Sequence, residues 1–152
     1  MGRRTIRTDG DEILRKISKP VDRIDDKIRI LAEDMIETMR HANGLGLAAP
    51  QVGILKRMFV AELDGQVLVM INPVIVKQQG EQEGREGCLS IPGMEGTVLR
   101  PARVVMEASD LQGDRHRYEA EGLKARVFCH ELDHLNGILY KDKATNYERC
   151  EE

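Results

Sequence analysis

Cysteine, net charge and long apolar runs are all scarce in this sequence. Its 152 residues include three cysteines, an odd number that does not suggest a disulfide framework. The formal net charge of −3 argues against binding of nucleic acid through phosphate contacts. No apolar run approaches the ~18 residues that a membrane helix needs. These absences leave a globular domain that is neither disulfide-built nor membrane-spanning.

The first residues also lack the features of a targeting segment. The stretch MGRRTIR is basic, but it is too short and too poor in apolar residues for a signal peptide. Ile6 stands where N-myristoylation requires Ser or Thr. Hydrophobic residues make up 41% and charged residues 32%, an ordinary globular balance. We therefore expect one cytoplasmic domain over residues 1–152.

The spacing of apolar residues predicts an N-terminal helix over residues 25–42. Its apolar stripe consists of Ile28, Leu31, Met35 and Met39. Asp25 or Asp26 can cap the start, and Asn43-Gly44 is a typical stop.

Two β-hairpins are predicted in the middle of the chain. The first joins residues 57–63 and 66–73 through Asp64-Gly65, a strong tight-turn signal. The second joins residues 103–110 and 114–121. A second helix then follows from about Leu123 to Leu135, and Gly137 ends it. The predicted fold is a compact α+β domain, with antiparallel hairpins packed around this C-terminal helix.

The second helix carries HELDH, a match to the metal motif H-E-x-x-H. His130 and His134 lie one turn apart on one helix face and can share an ion, with Glu131 in reach of a water on it. Chance matches to five residues occur, but burying two imidazoles and a carboxylate without partners would be costly. The longer metalloprotease motif would have a third histidine where this chain has Tyr140.

A third ligand therefore has to come from elsewhere. The candidates are His41, His116, Cys88, Cys129, Cys150 and Glu148. Both histidines are expected to face solvent, Cys129 points away from its neighbour His130, and the tail that carries Cys150 and Glu148 looks weakly anchored. The choice falls on Cys88, in a glycine-bounded segment between strands, although a lone cysteine is more often a small buried residue. Two histidines and one cysteine leave an open fourth position, as catalytic sites do, and the thiolate widens the metal choice towards iron.

The segment GLGLAAPQ, residues 44–51, allows two interpretations. It fits the dinucleotide pattern G-x-G-x-x-A, but a helix precedes it and Pro50 interrupts any helix after it, so we reject that function. A plain loop is one alternative. The other is a small-residue segment whose backbone approaches a ligand, with the Gln51 amide as a hydrogen-bond donor.

Three segments together resemble the peptide deformylase family. The family carries G-φ-G-φ-A-A-x-Q, E-G-C-φ-S and H-E-x-D-H in this order, where φ is apolar. This chain has GLGLAAPQ, EGCLS and HELDH without a departure, and the similarity runs from about Ile6 to Tyr140. The resemblance implies hydrolytic removal of the formyl group from the N-terminal formyl-methionine of new polypeptides.

The resemblance also implies roles for individual residues. The metal ligands would be Cys88, His130 and His134, with ferrous iron as the native ion and zinc, nickel or cobalt as substitutes in prepared protein. Glu131 would be the general acid and base, and the oxyanion donors would be the Gln51 side chain and the Leu89 backbone N–H. Gly46 would offer its backbone to the substrate, and Leu45 and Leu123 would line the methionine pocket.

Further expectations concern partners and supporting residues. We expect a bacterial monomer that acts on formyl-methionyl peptides, with at most a transient contact to the ribosome. The 18 residues after His134 are fewer than in relatives whose C-terminal helix docks there. Arg100 is expected to pair with Glu86 and brace the cysteine segment, an exposed pair that would contribute little.

Three other functions compete with this one. A cysteine hydrolase would use Cys88 as nucleophile and His130 as base. A metalloprotease is disfavoured because Tyr140 replaces its third ligand. A structural metal site is disfavoured by Glu131, since a structural ion needs no general base.

Overall fold

Two helices and eight strands form the fold. The structure is a computed structural model and describes residues 2–150. The helices are α1 (Asp26–His41) and α2 (Gly122–Leu135). The strands are β1 (Gly46–Ala48), β2 (Met58–Leu63), β3 (Gln66–Gln79), β4 (Gln82–Cys88), β5 (Ile91–Arg100), β6 (Arg103–Ser109), β7 (Arg115–Glu121) and β8 (Thr145–Arg149). The predicted α+β class is confirmed, and neither helix is long and apolar enough to cross a membrane.

Helix α1 begins and ends as the sequence predicts. The Asp25 side chain accepts a hydrogen bond from the Ile28 backbone N–H and caps the first turn. Asn43 adopts a left-handed φ of 58°, and the Gly44 N–H donates to the Met39 carbonyl. The apolar stripe of α1 is buried against β1, β2 and the segment that follows β1.

The larger sheet has five antiparallel strands in the order β1-β2-β3-β6-β7. Both predicted hairpins belong to it. Asp64 and Gly65 have φ values of 53° and 74°, as a tight two-residue turn requires, so β2 and β3 pair directly. The β3 strand runs on to Gln79, well beyond the predicted end at residue 73.

The smaller sheet has the order β4-β5-β8, and the sequence analysis was wrong about two of its strands. Cys88 is not in a loop between strands but ends β4, where it pairs with Ile91 of β5. Glycines at four positions of β4 and β5 hid their period of two: Gly84, Gly87, Gly93 and Gly96. The C-terminal tail is not loose either, because β8 pairs with β5 and Arg85 donates to the Asn146 carbonyl.

Helix α2 lies between the two sheets and has two different faces. One face packs on the larger sheet through six residues: Ala125, Val127, Phe128, Cys129, Leu132 and Leu135. The opposite face turns Arg126, His130 and His134 towards the smaller sheet. Gly137, with φ of 73°, ends the helix as predicted.

Candidate metal centre and active site

Strand β4 and helix α2 bring three candidate ligands together. One donor atom each from Cys88, His130 and His134 lies within 4.8 Å of the others. Cys88 Sγ is 3.3 Å from His134 Nε2. The two histidines are buried and the cysteine is half-buried. A thiolate and two imidazoles at this separation suit one zinc or iron ion.

Hydrogen bonding selects the free nitrogen of His130. Its Nδ1 donates to Glu86 Oε1 over 2.8 Å, which leaves Nε2 for a metal. Burial alone would lower the pKa of His130, but its hydrogen bonds to Cys88 and Glu86 raise it to about 10. Burial, with His130 and Arg100 nearby, holds the pKa of His134 well below its ordinary value. Of the two histidines, His130 is therefore the one that favours the protonated form in the metal-free protein.

The aromatic residue after α2 has a larger part than the sequence analysis gave it. Tyr140 is 1% exposed and stacks on the His130 ring, with centroids 5.9 Å apart and planes 24° apart. Its position in sequence, beyond the helix end, gave no sign of this contact. The chain thus fixes the His130 ring from two directions.

Glu131 lies beside the three candidate ligands, where burial disfavours its ionised form. Burial raises its pKa to about 7, and its Oε1 has no hydrogen-bond partner among residues 2–150. A Cβ added to Gly46 would lie only 2.7 Å from Glu131 Oε2. His134 Nδ1 is likewise buried and unpartnered within the described chain. The unpartnered Glu131 oxygen, beside the three candidate ligands, fits a site that is completed by a metal-bound water.

The amide of Gln51 reaches the end of β4. Gln51 Nε2 donates to Ser90 Oγ at 3.0 Å and lies 3.6 Å from Cys88 Sγ. Its Oε1 accepts from the Ala48 N–H at 2.9 Å, which fixes which end of the amide faces the cysteine. Within the segment 44–51, residues 46–48 form β1, and residues 49–52 form a short 3-10 helix at its end, so the segment is not a plain loop.

A cleft of about 330 Å³ opens over these groups. Leu45, Gly46 and Leu123 line it together with Leu89 and Val127. Leu45 and Leu123 remain 46% and 56% exposed at its rim, so two apolar side chains face solvent beside a polar centre. The β1 and β4 strands are edges of their sheets, which leaves backbone groups free on the cleft side.

The other candidate ligands lie elsewhere. His41 is exposed and contacts Arg3, and His116 is exposed and pairs with Asp110. Glu148 pairs with Arg85 on the outer face of the smaller sheet. Cys129 is buried in the apolar cluster, where burial raises its pKa to about 11, and Cys150 is exposed.

A network of buried ion pairs contacts the candidate ligand His130 through Glu86, and the sequence analysis expected only one exposed pair here. Arg100 donates to both oxygens of Glu86 at 2.9 Å, as predicted, but the pair is buried rather than exposed. Arg100 also donates to Asp133 at 2.7 Å, and Arg126 donates to Glu86 at 2.5 Å. Burial would raise the pKa of Glu86, yet the hydrogen bonds from Arg100 and His130 hold it well below its ordinary range. Only the position of Arg126, four residues before His130, could have signalled its part.

The fold and the site together define an α+β protein with three candidate metal ligands, two of them on one helix, beside a buried carboxylate oxygen that has no partner within residues 2–150. Comparisons with known proteins narrow this class. Residues 3–150 match the polypeptide deformylase family, and the chain belongs to it. The family removes the formyl group from the N-terminus of new polypeptides, and this chain is a hydrolase with that activity.

Individual relatives agree over almost the whole chain. A peptide deformylase of Acetivibrio thermocellus is 56% identical over 97% of this chain and 86% of its own length. The crystal structure of the Thermotoga maritima enzyme superposes with a TM-score of 0.92 at 42% identity, covering 94% of this chain and 98% of that one. An Acinetobacter baumannii peptide deformylase with Met-Ala-Ser bound gives a TM-score of 0.90 at 34% identity, covering 93% and 98%.

Proposed function

We propose that Cys88, His130 and His134 hold one divalent ion and that Glu131 performs the proton transfers of deformylation. The observation that carries this proposal is the cluster of three donor atoms within 4.8 Å beside a buried carboxylate without a partner in residues 2–150. Ferrous iron is the native ion in this proposal, since one thiolate and two imidazoles suit it, and zinc, nickel or cobalt can replace it. Bound there, the ion supplies Lewis acidity towards the formyl oxygen and lowers the pKa of water.

The chain's own residues then carry the protons and hold the developing charge. Glu131 takes a proton from the attacking water and passes it to the leaving amine, and formate and a free N-terminus result. The Gln51 amide and the Leu89 backbone N–H donate to the oxyanion that forms on the formyl group. Each such donor is typically worth ~10²–10³ in rate. Because Ala48 holds the Gln51 carbonyl end, the amide N–H₂ end faces the site.

The lining of the cleft suits a formyl-methionyl peptide as substrate. Leu45 and Leu123 offer apolar surface to the methionine side chain, and Gly46 offers backbone groups to the peptide. The relative with Met-Ala-Ser bound supports a methionyl peptide in the same place. A formyl group carries only hydrogen on its carbonyl carbon, so a narrow site discriminates against acetyl by shape. Rates on formyl-Met-Ala-Ser should therefore far exceed those on acetyl-Met-Ala-Ser, and equal rates would contradict this selectivity.

We further propose that residues 1–152 act as one domain, as a monomer in the bacterial cytoplasm. The substrates are formyl-methionyl peptides, and contact with the ribosome is transient, without nucleic-acid binding by the chain. Sedimentation of the purified protein, alone and with ribosomes, tests the oligomeric state and the contact.

A formate-release assay tests the catalytic assignment. Protein prepared without oxygen and loaded with Fe²⁺ is given formyl-Met-Ala-Ser, with Glu131→Ala and Cys88→Ser beside the wild type. We expect Glu131→Ala to retain one metal per chain but to lose ~10²–10⁴ in rate. Cys88→Ser should lose the metal as well. The matched control is Glu119→Ala, an exposed glutamate on β7 that does not line the cleft. Full activity of Glu131→Ala would refute its assigned role.

A second experiment separates a metal centre from a cysteine nucleophile. Removal of the ion with a chelator should abolish formate release, and added Fe²⁺ should restore it. A cysteine hydrolase would keep its activity in chelator and lose it to a thiol alkylator. Metal analysis of protein purified without oxygen, before any metal is added, identifies the native ion, and a stoichiometric zinc content without iron would overturn the iron assignment.

A further inference from the structure

Arg126 is a buried arginine whose guanidinium is only partly hydrogen-bonded. Its Nη1 donates to Glu86 Oε2 at 2.5 Å and to the Val98 carbonyl at 3.1 Å. Its Nη2 is buried and has no acceptor within residues 2–150. Desolvating a guanidinium with an unused N–H group is costly, and an apolar residue of similar size often stabilises such a position better. A contribution to folding stability therefore does not explain why an arginine occupies this position.

The reason lies one helical turn away. Arg126 and His130 are four residues apart on α2, so both side chains reach the same carboxylate. Arg126 holds Glu86 Oε2, and His130 Nδ1 donates to Glu86 Oε1. Glu86 thus spans one turn of the helix, with each oxygen assigned to a different helix residue.

Arg100 completes the grip on Glu86 from the opposite side. Its Nε and Nη2 form a planar fork on both oxygens. Arg100 belongs to β5 of the smaller sheet, as Glu86 belongs to β4, and it reaches α2 only through Asp133, near the end of that helix. Arg126 ties the carboxylate to the helix that carries the ligand it orients.

Strand β4 is shaped to admit this guanidinium. A Cβ added to Gly84 would lie 2.8 Å from Arg126 Nη2 and 3.0 Å from its Cζ. Any side chain at residue 84 would therefore push the guanidinium away from its place. The bare backbone of β4 and the length of the arginine fit each other, two residues before Glu86.

We propose that Arg126 is a positioning residue for the metal centre, acting through Glu86 on His130. It fixes the rotamer of Glu86 so that Oε1 meets Nδ1 and the His130 ring presents Nε2 to the ion. Its effect falls on how firmly the ion is held and with which geometry. This inference rests on the proposed metal ligands. Gly84 supports the role of Arg126 by leaving room for its guanidinium.

The test uses protein loaded with Co²⁺, whose visible absorption reports ligand geometry. The wild type, Arg126→Met, Glu86→Gln and the double variant are compared for spectrum and for the rate of metal transfer to a chelator. Arg126→Met should release the metal roughly 10- to 100-fold faster and shift the absorption bands. In the Glu86→Gln background, the same substitution should change the release rate less than about 3-fold, because its target is already altered. The control is Lys124→Met, a cation two residues earlier on α2 that lies beside Phe128 instead.

The outcomes are distinct. The inference is overturned if Arg126→Met releases metal at the wild-type rate with an unchanged spectrum. It is also overturned if Arg126→Met speeds release by the same factor in the Glu86→Gln background as in the wild type. If Arg126→Met fails to fold, Gly84→Ala displaces the guanidinium while keeping its charge. That variant should also release metal faster, and a wild-type rate would count against the role of Arg126. Failure of the wild type to bind Co²⁺ would instead refute the proposed ligands.

Discussion

Helix α2 separates two interiors of opposite character. On one side, Phe128 packs against Phe59 and Tyr118, with ring centroids 6.0 and 6.3 Å apart, in a cluster of apolar side chains. On the other side, Glu86 and Arg100 are equally buried yet fully charged. The first interior needs only volume and shape. The second needs every partner present, because each missing one leaves a buried charge.

The difference teaches where stability and function are divided in this fold. The apolar side can lose or exchange a methylene group without affecting a ligand. The charged side holds the three candidate ligands and Glu131, and its stability depends on the presence of every partner in its ion pairs. One helix serves both, since its period of 3.6 residues keeps the two sets of side chains apart.

The sharpest test of this contrast removes one partner from the charged interior. Arg100→Met should lower the free energy of unfolding by about 3–5 kcal/mol, because it leaves Glu86 and Asp133 without their shared cation. Chemical denaturation measures the change. The control is Arg40→Met, whose exposed pair with Glu62 should matter by less than ~1 kcal/mol. Similar losses in both variants would erase the distinction between the interiors.

Glu131 should show that the charged interior gives up stability for function. Its pKa in the metal-free protein is about 7 against an ordinary 4.5, so the folded state holds a proton that the unfolded chain releases. Stability conferred by this group is therefore present below pH 4.5 and lost as the pH rises to 7. Glu131→Gln should stabilise the metal-free protein by about 3 kcal/mol at pH ~8, since each pKa unit is worth ~1.4 kcal/mol. Thermal unfolding at pH 8 and pH 4 measures this, and an equal effect at both values would contradict the burial argument.

Gly46 tests how closely the backbone must approach this interior. In Gly46→Ala the new methyl group would meet the Glu131 carboxylate and displace it. We expect a loss of roughly 10² in kcat/KM for formyl-Met-Ala-Ser, the usual effect of misplacing a catalytic group by about 1 Å. Gly2→Ala is the control, because a Cβ there would meet nothing within 4 Å. Unchanged kcat/KM would show that Glu131 can move without consequence.

The smallest effect is expected in the apolar interior. Met106→Leu, at a fully buried site on β6 within the apolar cluster against α2, keeps the volume and should lower the free energy of unfolding by less than ~1.5 kcal/mol. Formate release should be unchanged. A tenfold loss of activity would mean that the two interiors are coupled more tightly than their separation by α2 suggests.

The sequence predicted the helices and both hairpins of the larger sheet because their periods and turn residues are local signals. Cys88 could be chosen as a candidate ligand, but not placed on a strand, since Gly84 and Gly87 break the alternation of β4. The burial of the Arg100–Glu86 pair and the stacking of Tyr140 on His130 depend on contacts between distant segments. No spacing along the chain encodes such contacts, so only the structure reveals them.

Because the candidate ligands are far apart along the chain, the ribosome makes them at different times. Cys88 and His134 are 46 residues apart in sequence and 3.3 Å apart in space. At ~5–20 residues per second, a ribosome makes this thiol roughly 2–9 s before its distant partner. During that interval the cysteine is an ordinary nascent thiol, open to oxidation and to any passing soft metal. The proposed metal site is therefore complete only when α2 folds against β4, so that metal loading belongs to the last stage of synthesis.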